Sequence, residues 1–335
     1  MSKWYSTKGG NADVVLTSKI TLARNIEGMP FPCRMTNELR KSICKKLYAA
    51  IQNSKMAGEF DLIELDKLSD LKKISLAEKG LITTQQAKQE QYSALLLSKD
   101  ESVSVTICGE EHICISAISA LQDLSSAYNK ANEIDDIFIG SMKIAFSEKL
   151  GFLTSNPMKL GTGMKAAVLL HLPAINERGM LPSLRNMLSK LGFSIKPVYG
   201  DGSFFELANE ISLGITEKSA IENLNAITNQ IAEQERAYRT ELMKYDEFQD
   251  KIFRAMGTLK MARQLSSKEF YSLISLARLG IAMNVFDNNE NEGYENIGEM
   301  IYSLGTATIM AGIDEQFSTD DANRYRAQYV REKLG

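Results

Sequence analysis

Histidine is almost missing from this chain: His112 and His171 are the only two in 335 residues. That excludes a histidine-rich metal centre and leaves only zinc held by mixed ligands. Cys108, His112 and Cys114 lie close together, but no fourth ligand stands at a recognisable spacing, so no metal site is expected. Cysteine is scarce as well. Cys33, Cys44, Cys108 and Cys114 form no CxxC pair, and a chain with 44% hydrophobic residues can bury a core without disulfides. Free thiols in a reducing cytoplasm are the expectation. There is no excess of basic charge: 39 Lys and Arg face 42 Asp and Glu, which argues against a dedicated nucleic-acid binder. No apolar run approaches the ~20 residues of a membrane span. The stretch Met1 to Gly10 is polar and lacks the apolar core of a signal peptide. No internal repeat, low-complexity tract or block of like charge interrupts the chain.

What is present is a change of character along the sequence. At ~150 residues per domain the length suggests two domains. Val14 to Ala23 alternates as a strand does, which would put Thr17, Lys19 and Thr21 on one face. Leu39 to Ile51 reads as a helix. Tyr92 to Leu97 and Ser102 to Ile107 read as a hairpin around Ser98-Lys99-Asp100, with Val103, Val105 and Ile107 alternating against Ser102, Ser104 and Thr106. If Glu110 to Ser116 stays extended, Glu110, His112 and Cys114 share a face. Ile118 to Asn132 is expected to be helical, Ile144 to Phe146 and Gly151 to Thr154 another hairpin, and Met164 to Leu172 a helix after Gly161-Thr162-Gly163. That glycine stretch alone is a weak phosphate signal, since it has neither Walker A nor GxGxxG spacing.

Strands joined by tight turns argue for an α+β fold with an antiparallel sheet flanked by helices. Beyond about residue 215 the pattern becomes helical. Ile221, Leu224, Ile227, Ile231, Tyr238 and Leu242 recur mostly at three- and four-residue steps. Ser266-Ser267-Lys268-Glu269 fits a capping box before Phe270 to Val285, and Tyr294 to Ile309 and Ala322 to Lys333 continue the pattern. The expected division is 1–238 and an all-helical 239–335. The apolar stripes of the second part fit either a core of its own or a dimer interface.

Four stretches in order resemble the phosphagen (guanidino) kinase superfamily, and within it the bacterial protein-arginine kinases. They are Thr17-Ser18-Lys19-Ile20-Thr21-Leu22-Ala23-Arg24-Asn25 with Gly28 to Pro32, Leu97 to Val105 running into Gly109-Glu110-Glu111-His112, Leu150 to Pro157 with Leu160 to Gly163 and Leu170 to Ala174, and Tyr199-Gly200-Asp201-Gly202-Ser203 with Ile211 to Gly214. Arg326 to Leu334 also looks like the family's end. The resemblance implies a small helical piece, a curved antiparallel sheet and a C-terminal helical dimerisation domain. It also implies transfer of the γ-phosphoryl of Mg-ATP to protein arginine, with a carboxylate orienting the guanidinium and arginines neutralising the phosphates.

The departures fall on the phosphate side. Where the family's early strand carries two phosphate-binding arginines beside Ser18, this chain has Lys19 and Thr21. Cys114 stands at the arginine position after the glutamate motif, Lys165 at the one after Gly-Thr-Gly, and Lys196-Pro197 where the late loop should read Arg-Gly. Three of the five arginines became lysine and two lost their charge. The family's histidine before the first hairpin is Gly80 and its active-site cysteine is Asn156. The carboxylates survive as Glu110 and, shortened, Asp201. Lysine's point charge cannot copy the bidentate guanidinium fork. A phosphoarginine-sensing motif in the family's C-terminal part corresponds to Ala322 to Ala327 here, where Arg324 and Arg326 are the candidate anion ligands.

The expectation is therefore a pseudokinase: no cofactor, a homodimer in the cytoplasm, no nucleic acid or membrane, and a protein partner. By resemblance that partner is an active arginine kinase, its zinc-binding activator, or a Clp-type unfoldase. The alternative is a working protein-arginine kinase that holds Mg-ATP through lysines. A third reading, a small-molecule guanidino kinase, finds no specific small-substrate pocket in the retained loops.

Overall fold

The computed structural model describes residues 11–286, 290–313 and 316–335, with 290–292 described by backbone alone. The reading of Met1 to Gly10 lies outside the described residues. The strands are β1 (Val15–Arg24), β2 (Phe60–Glu64), β3 (Ala94–Ser98), β4 (Val103–Ile107), β5 (Ile113–Ala120), the short pair β6 (Phe146–Ser147) and β7 (Gly151–Phe152), β8 (Met164–His171), β9 (Phe193–Val198) and β10 (Phe204–Asn209). Eight of them form one sheet in the order β2-β3-β4-β5-β1-β8-β10-β9, antiparallel at every pairing. The helices are α1 (Asn37–Gln52), α2 (Asp70–Glu78), α3 (Thr84–Ala87), α4 (Leu124–Ser141), α5 (Pro173–Glu177), α6 (Leu181–Lys190), α7 (Glu217–Leu242), α8 (Asp246–Met261), α9 (Ser267–Ala282), α10 (Glu290–Ser303), α11 (Thr306–Ile313) and α12 (Thr319–Leu334).

Two expected helices are corrected. Ile118 to Ala120 finish β5, where Ile118 lies across from Lys19, and the following helix starts only at Leu124 because Asp123 caps it by accepting from Ser126 N. Met164 to His171 is a central strand between β1 and β10. Lys165 apart, its side chains are covered on both faces, so it reads as a run of Ala, Val and Leu without alternation, which composition cannot tell from a buried helix. The Tyr294 to Ile309 helix is also interrupted, at Leu304-Gly305 between α10 and α11. Ser266 does cap α9, accepting from Glu269 N. The helix α7 runs past the expected 238/239 division, to Leu242.

The two faces of the sheet have different cover. Ile20 and Leu22 of β1 face the larger core, which contains Ile43, Leu47 and Ile51 of α1, Ala127, Ile134 and Phe138 of α4 and Leu224 and Ile231 of α7. On the other face, Leu16 and Phe204 join a second core with Phe270, Ile274, Ile297, Ile301 and Val330. The C-terminal stripes thus pack into a core that includes part of the sheet. Glu78 ties α2 to the same region: its carboxylate accepts from Ala307 N at 3.1 Å and Thr308 N at 2.8 Å, at the start of α11. The rest of this sheet face, from Lys19 to Ala23, is left for the cavity described below.

Where the two parts meet, charge is buried. Glu235 is fully buried and accepts from Ala174 N, Ile175 N and Arg239 Nε. Arg278 donates to Asp13 O at 2.7 Å and faces His171 Nδ1, while His171 Nε2 pairs with Ser275 Oγ at 2.9 Å. Burial, with Arg278 and then Arg239 adding to it, pushes the His171 pKa well below its usual value. His112 is sealed likewise: Nδ1 accepts from Ile26 N and Nε2 donates to Pro30 O, and burial lowers its pKa.

A proton added to either ring must face an existing N–H donor. The unfolded chain takes up these protons near pH 6.5 while the folded chain refuses them, so stability falls as pH drops below about 6.5. The ceiling for one such imidazole, set by proton uptake of the unfolded chain alone, is about 2 kcal/mol between pH 7 and pH 5. Carboxylates held low, such as Asp13 and Asp100, lose their contribution only at more acid pH. Urea unfolding at pH 7 and pH 5 measures the difference; equal stabilities would contradict two buried neutral imidazoles.

Candidate functional site

The site grows from register. Lys19 lies across from Ile118 of β5 and Ala167 of β8, and Thr21 across from Ser116 and Lys165. Ala23 pairs with Cys114, which in turn pairs with Thr106 of β4. On the far side Ala167 faces Ala208, and Glu206 faces Leu169 and Lys196. Cross-strand partners share a face, so these side chains stand together. Lys19, Thr21, Ala23, Thr106, Cys114, Ser116, Lys165, Ala167 and Glu206 floor a cavity of about 460 Å³ whose wall is the segment 80–86 with Gln89. Thr83 and Gln86 fix that wall through a reciprocal cap on α3.

Of the residues singled out from the sequence, Lys19, Thr21, Cys114, Lys165 and Glu110 line this cavity. Lys196 is one strand away, opposite Glu206. Ser18 points to the other face, where its hydroxyl donates to Leu121 O at 2.8 Å and accepts from Asp123 N. Asp201 sits on the β9–β10 turn, outside the cavity lining, with Lys268 Nζ 3.0 Å away. Glu110, His112 and Cys114 do not share a face as an extended strand would require. The chain bends from Cys108, at φ 56°, through His112, and His112 turns to the Ile26–Pro30 loop.

In the C-terminal part, Arg324 is exposed and pairs with Asp321 three residues back. Arg326 is fully buried. It donates to Leu304 O at 2.8 Å, Leu265 O at 2.6 Å, Asn323 Oδ1 at 2.8 Å and Thr306 Oγ1 at 2.8 Å.

The cavity lysines all have partners. Lys19 Nζ donates to Gly80 O at 2.7 Å. Burial lowers its pKa, with Glu206 opposing that effect. Lys165 Nζ is 2.5 Å from Glu206 Oε1, and Lys159 pairs with Glu110. Burial works against the Lys159 charge, but Glu110, together with Cys114 and Glu111, more than offsets it and the pKa is raised. Burial also opposes the Glu206 charge, yet Lys165, then Lys19 and Lys196, hold its carboxyl below the usual range. Thr21 Oγ1 and Ser116 Oγ are 3.0 Å apart. The Cys114 thiol is pushed up to about 11 by burial, which keeps it protonated and poorly nucleophilic at neutral pH.

Sequence reasoning missed Lys159, Glu206, Ser116 and the glutamine-bearing wall. Glu206 could have been found by extending a hairpin back from Tyr199-Gly200-Asp201-Gly202, which pairs it with Lys196. The glycines of Gly161-Thr162-Gly163 answer to packing. A Cβ on Gly161, at φ +99°, would lie 2.2 Å from Ser212 O, and one on Gly163, at φ +62°, 2.7 Å from Ala23 O.

Comparison with known proteins fits this architecture. The ATP:guanido phosphotransferase C-terminal catalytic domain family matches residues 42–238, and the protein-arginine kinase McsB C-terminal domain family matches 245–335. A protein-arginine kinase of Clostridium acetobutylicum is 34% identical over 342 residues, covering 100% of both chains. One from Pelotomaculum thermopropionicum is 36% identical over 343 residues, covering 99% of this chain and 96% of its own. In fold, the chain resembles the duplicated taurocyamine kinase from Schistosoma mansoni with bound transition-state analogue components (TM-score 0.61, 22% identity, 70% of this chain and 35% of that one). It resembles lombricine kinase similarly (TM-score 0.59, 14% identity, 69% and 68%). The sheet, the helical C-terminal part and the full-length similarity to protein-arginine kinases agree: this chain belongs to the protein-arginine kinase family of ATP:guanido phosphotransferases.

Proposed function

We propose that this family member has lost phosphoryl transfer and acts as a protein-binding regulator or adaptor in arginine-phosphorylation and Clp-protease quality control. The observation that carries the reading is the self-pairing of the cavity. Lys159 and Lys165 are bound to Glu110 and Glu206, Lys19 to Gly80 O, and Thr21 and Cys114 bring no positive charge. Phosphoryl transfer is chiefly positioning and charge neutralisation, and losing one arginine that acts on the transition state can cost ~10³-fold in rate. The residues present do not fit a triphosphate, which needs donors that are not already spent.

The rest of the chain supports a binding role. The fold is intact, and Tyr245, Phe253 and Met261 are exposed on and beside α8, where a second copy or a partner could dock. Among the described residues no helix is long and apolar enough to cross a membrane. The proposed setting is a cytoplasmic homodimer whose partner is an active arginine kinase, its activator or a Clp-type unfoldase. Calorimetric titration with Mg-ATP tests the loss of the site. No heat of binding up to millimolar nucleotide is expected, and micromolar binding would overturn the proposal.

One observation favours a second reading, an active kinase on a rebuilt lysine site that takes Mg-ATP. Glu110 still faces an open cavity that also holds Lys19, Lys159 and Lys165. Incubation with Mg-ATP and an arginine-rich acceptor, read by mass spectrometry for phosphoarginine, decides it. A signal no greater than that of Glu110→Gln removes this alternative.

A further inference from the structure

Three lysines that replace arginines, Lys19, Lys165 and Lys196, stand on strands β1, β8 and β9. The strand between the last two, β10, carries a single acid among them. Glu206 lies directly across from Lys196 and holds Lys165 Nζ at 2.5 Å, and Lys19 lines the same cavity. The residues that separate them on this face, Ala167 and Ala208, are small and leave the long side chains room to converge above the sheet.

We propose that Glu206 is a built-in anion: its carboxylate fills the seat that these lysine ammonium groups make for an oxyanion, and so keeps phosphate out. The inference rests on the reading of the site as unable to hold a triphosphate, and it names the residue responsible. A carboxylate tethered to its own backbone through two methylenes competes at an effective concentration of order millimolar or more, without the association cost a free ligand bears. The electrostatics agree in direction, because Lys165, Lys19 and Lys196 all favour the ionised form of Glu206. The Lys165–Glu206 contact is partly exposed, so its own strength is modest. The larger effect is on an incoming phosphate, which meets a like charge where it needs a donor.

The experiment compares wild type, Glu206→Gln and Glu222→Gln by calorimetric titration with inorganic tripolyphosphate and with Mg-ATP. Glu222 is an exposed acid of α7 near Lys218, so its variant changes the net charge equally but away from the cavity. Glu206→Gln should bind tripolyphosphate at least tenfold more tightly than wild type, and Glu222→Gln like wild type. Glu206→Asp keeps the charge but withdraws it by one methylene. It should show a smaller gain, and it supplies the comparison if circular dichroism finds the glutamine variant unfolded. No gain in Glu206→Gln, or an equal gain in Glu222→Gln, overturns the inference while a silent wild type leaves the proposed function standing. Tight Mg-ATP binding by wild type overturns both.

Discussion

Arg326→Ala should destabilise the protein by about 4 kcal/mol, whereas Arg324→Ala should cost under ~0.5 kcal/mol. The two arginines stand two residues apart in the same motif-like stretch, and only their surroundings differ. Arg326 is fully buried and gives its donors to two carbonyls, an amide oxygen and a hydroxyl, with no carboxylate among those acceptors. Its loss leaves Leu304 O and Leu265 O short of a partner in the core, each costing ~1–3 kcal/mol, takes a donor from the half-buried Thr306 Oγ1, and opens a void besides. Arg324 is exposed and meets only Asp321 on its own helix. Urea unfolding of both variants, followed by circular dichroism, measures the contrast. The same geometry predicts that phosphoarginine raises the melting temperature of wild type by nothing measurable, because the Arg326 donors are spent on α10–α11 and α9 flanks. An Arg326→Ala protein within 1 kcal/mol of wild type would contradict the account.

Much of the fold was legible because it is local. The alternation Val103, Val105, Ile107 against polar neighbours is a strand with differently covered faces, and the hairpin to Ala94–Ser98 follows from its turn. The amphipathic stripe of α7 was equally plain. Met164–His171 was not, because a strand buried on both faces loses the alternation that marks it. The cavity was half legible. Lys19, Thr21, Cys114, Lys165 and Glu110 came from motif positions, and the register gathers them at one place. Glu206 escaped because its meaning depends on which strands flank β10, a fact of topology rather than of neighbours in sequence. Ser18 shows the same limit from the other direction. It is adjacent to Lys19, yet the pleat turns it to the opposite face, where it ties β1 to Leu121 and Asp123.

Arg24→Met should cost about 3–5 kcal/mol, and Arg24→Met with Asp135→Leu should recover at least half of it. Arg24 is the one arginine of the first motif stretch, next in the chain to Ala23, the last cavity-lining position of β1, and its location explains why it cannot serve a ligand. Its Nε and Nη2 grip Asp135 Oδ2 at 3.0 and 2.7 Å, its Nη1 donates to Ala23 O and Thr162 O, and the guanidinium lies 3.5 Å above the centre of the Phe152 ring. Both partners are almost wholly buried, with side chains 3% and 4% exposed. Removing only the arginine strands a carboxylate in the core between α4 and the sheet, and that uncompensated charge is the main expense. Replacing both with apolar groups removes the stranded charge and leaves a packing defect. A double-mutant cycle in urea separates the terms. If the single variant is neutral, or the double variant is no more stable than the single, the pair is not what holds this corner. The corner matters to the site because Ala23 and Gly163, which line the cavity, are positioned by the same arginine. Loss of Arg24 should therefore loosen the cavity floor even where the chain still folds, and faster amide exchange at Ala23 N, which donates to Gly163 O, would report it.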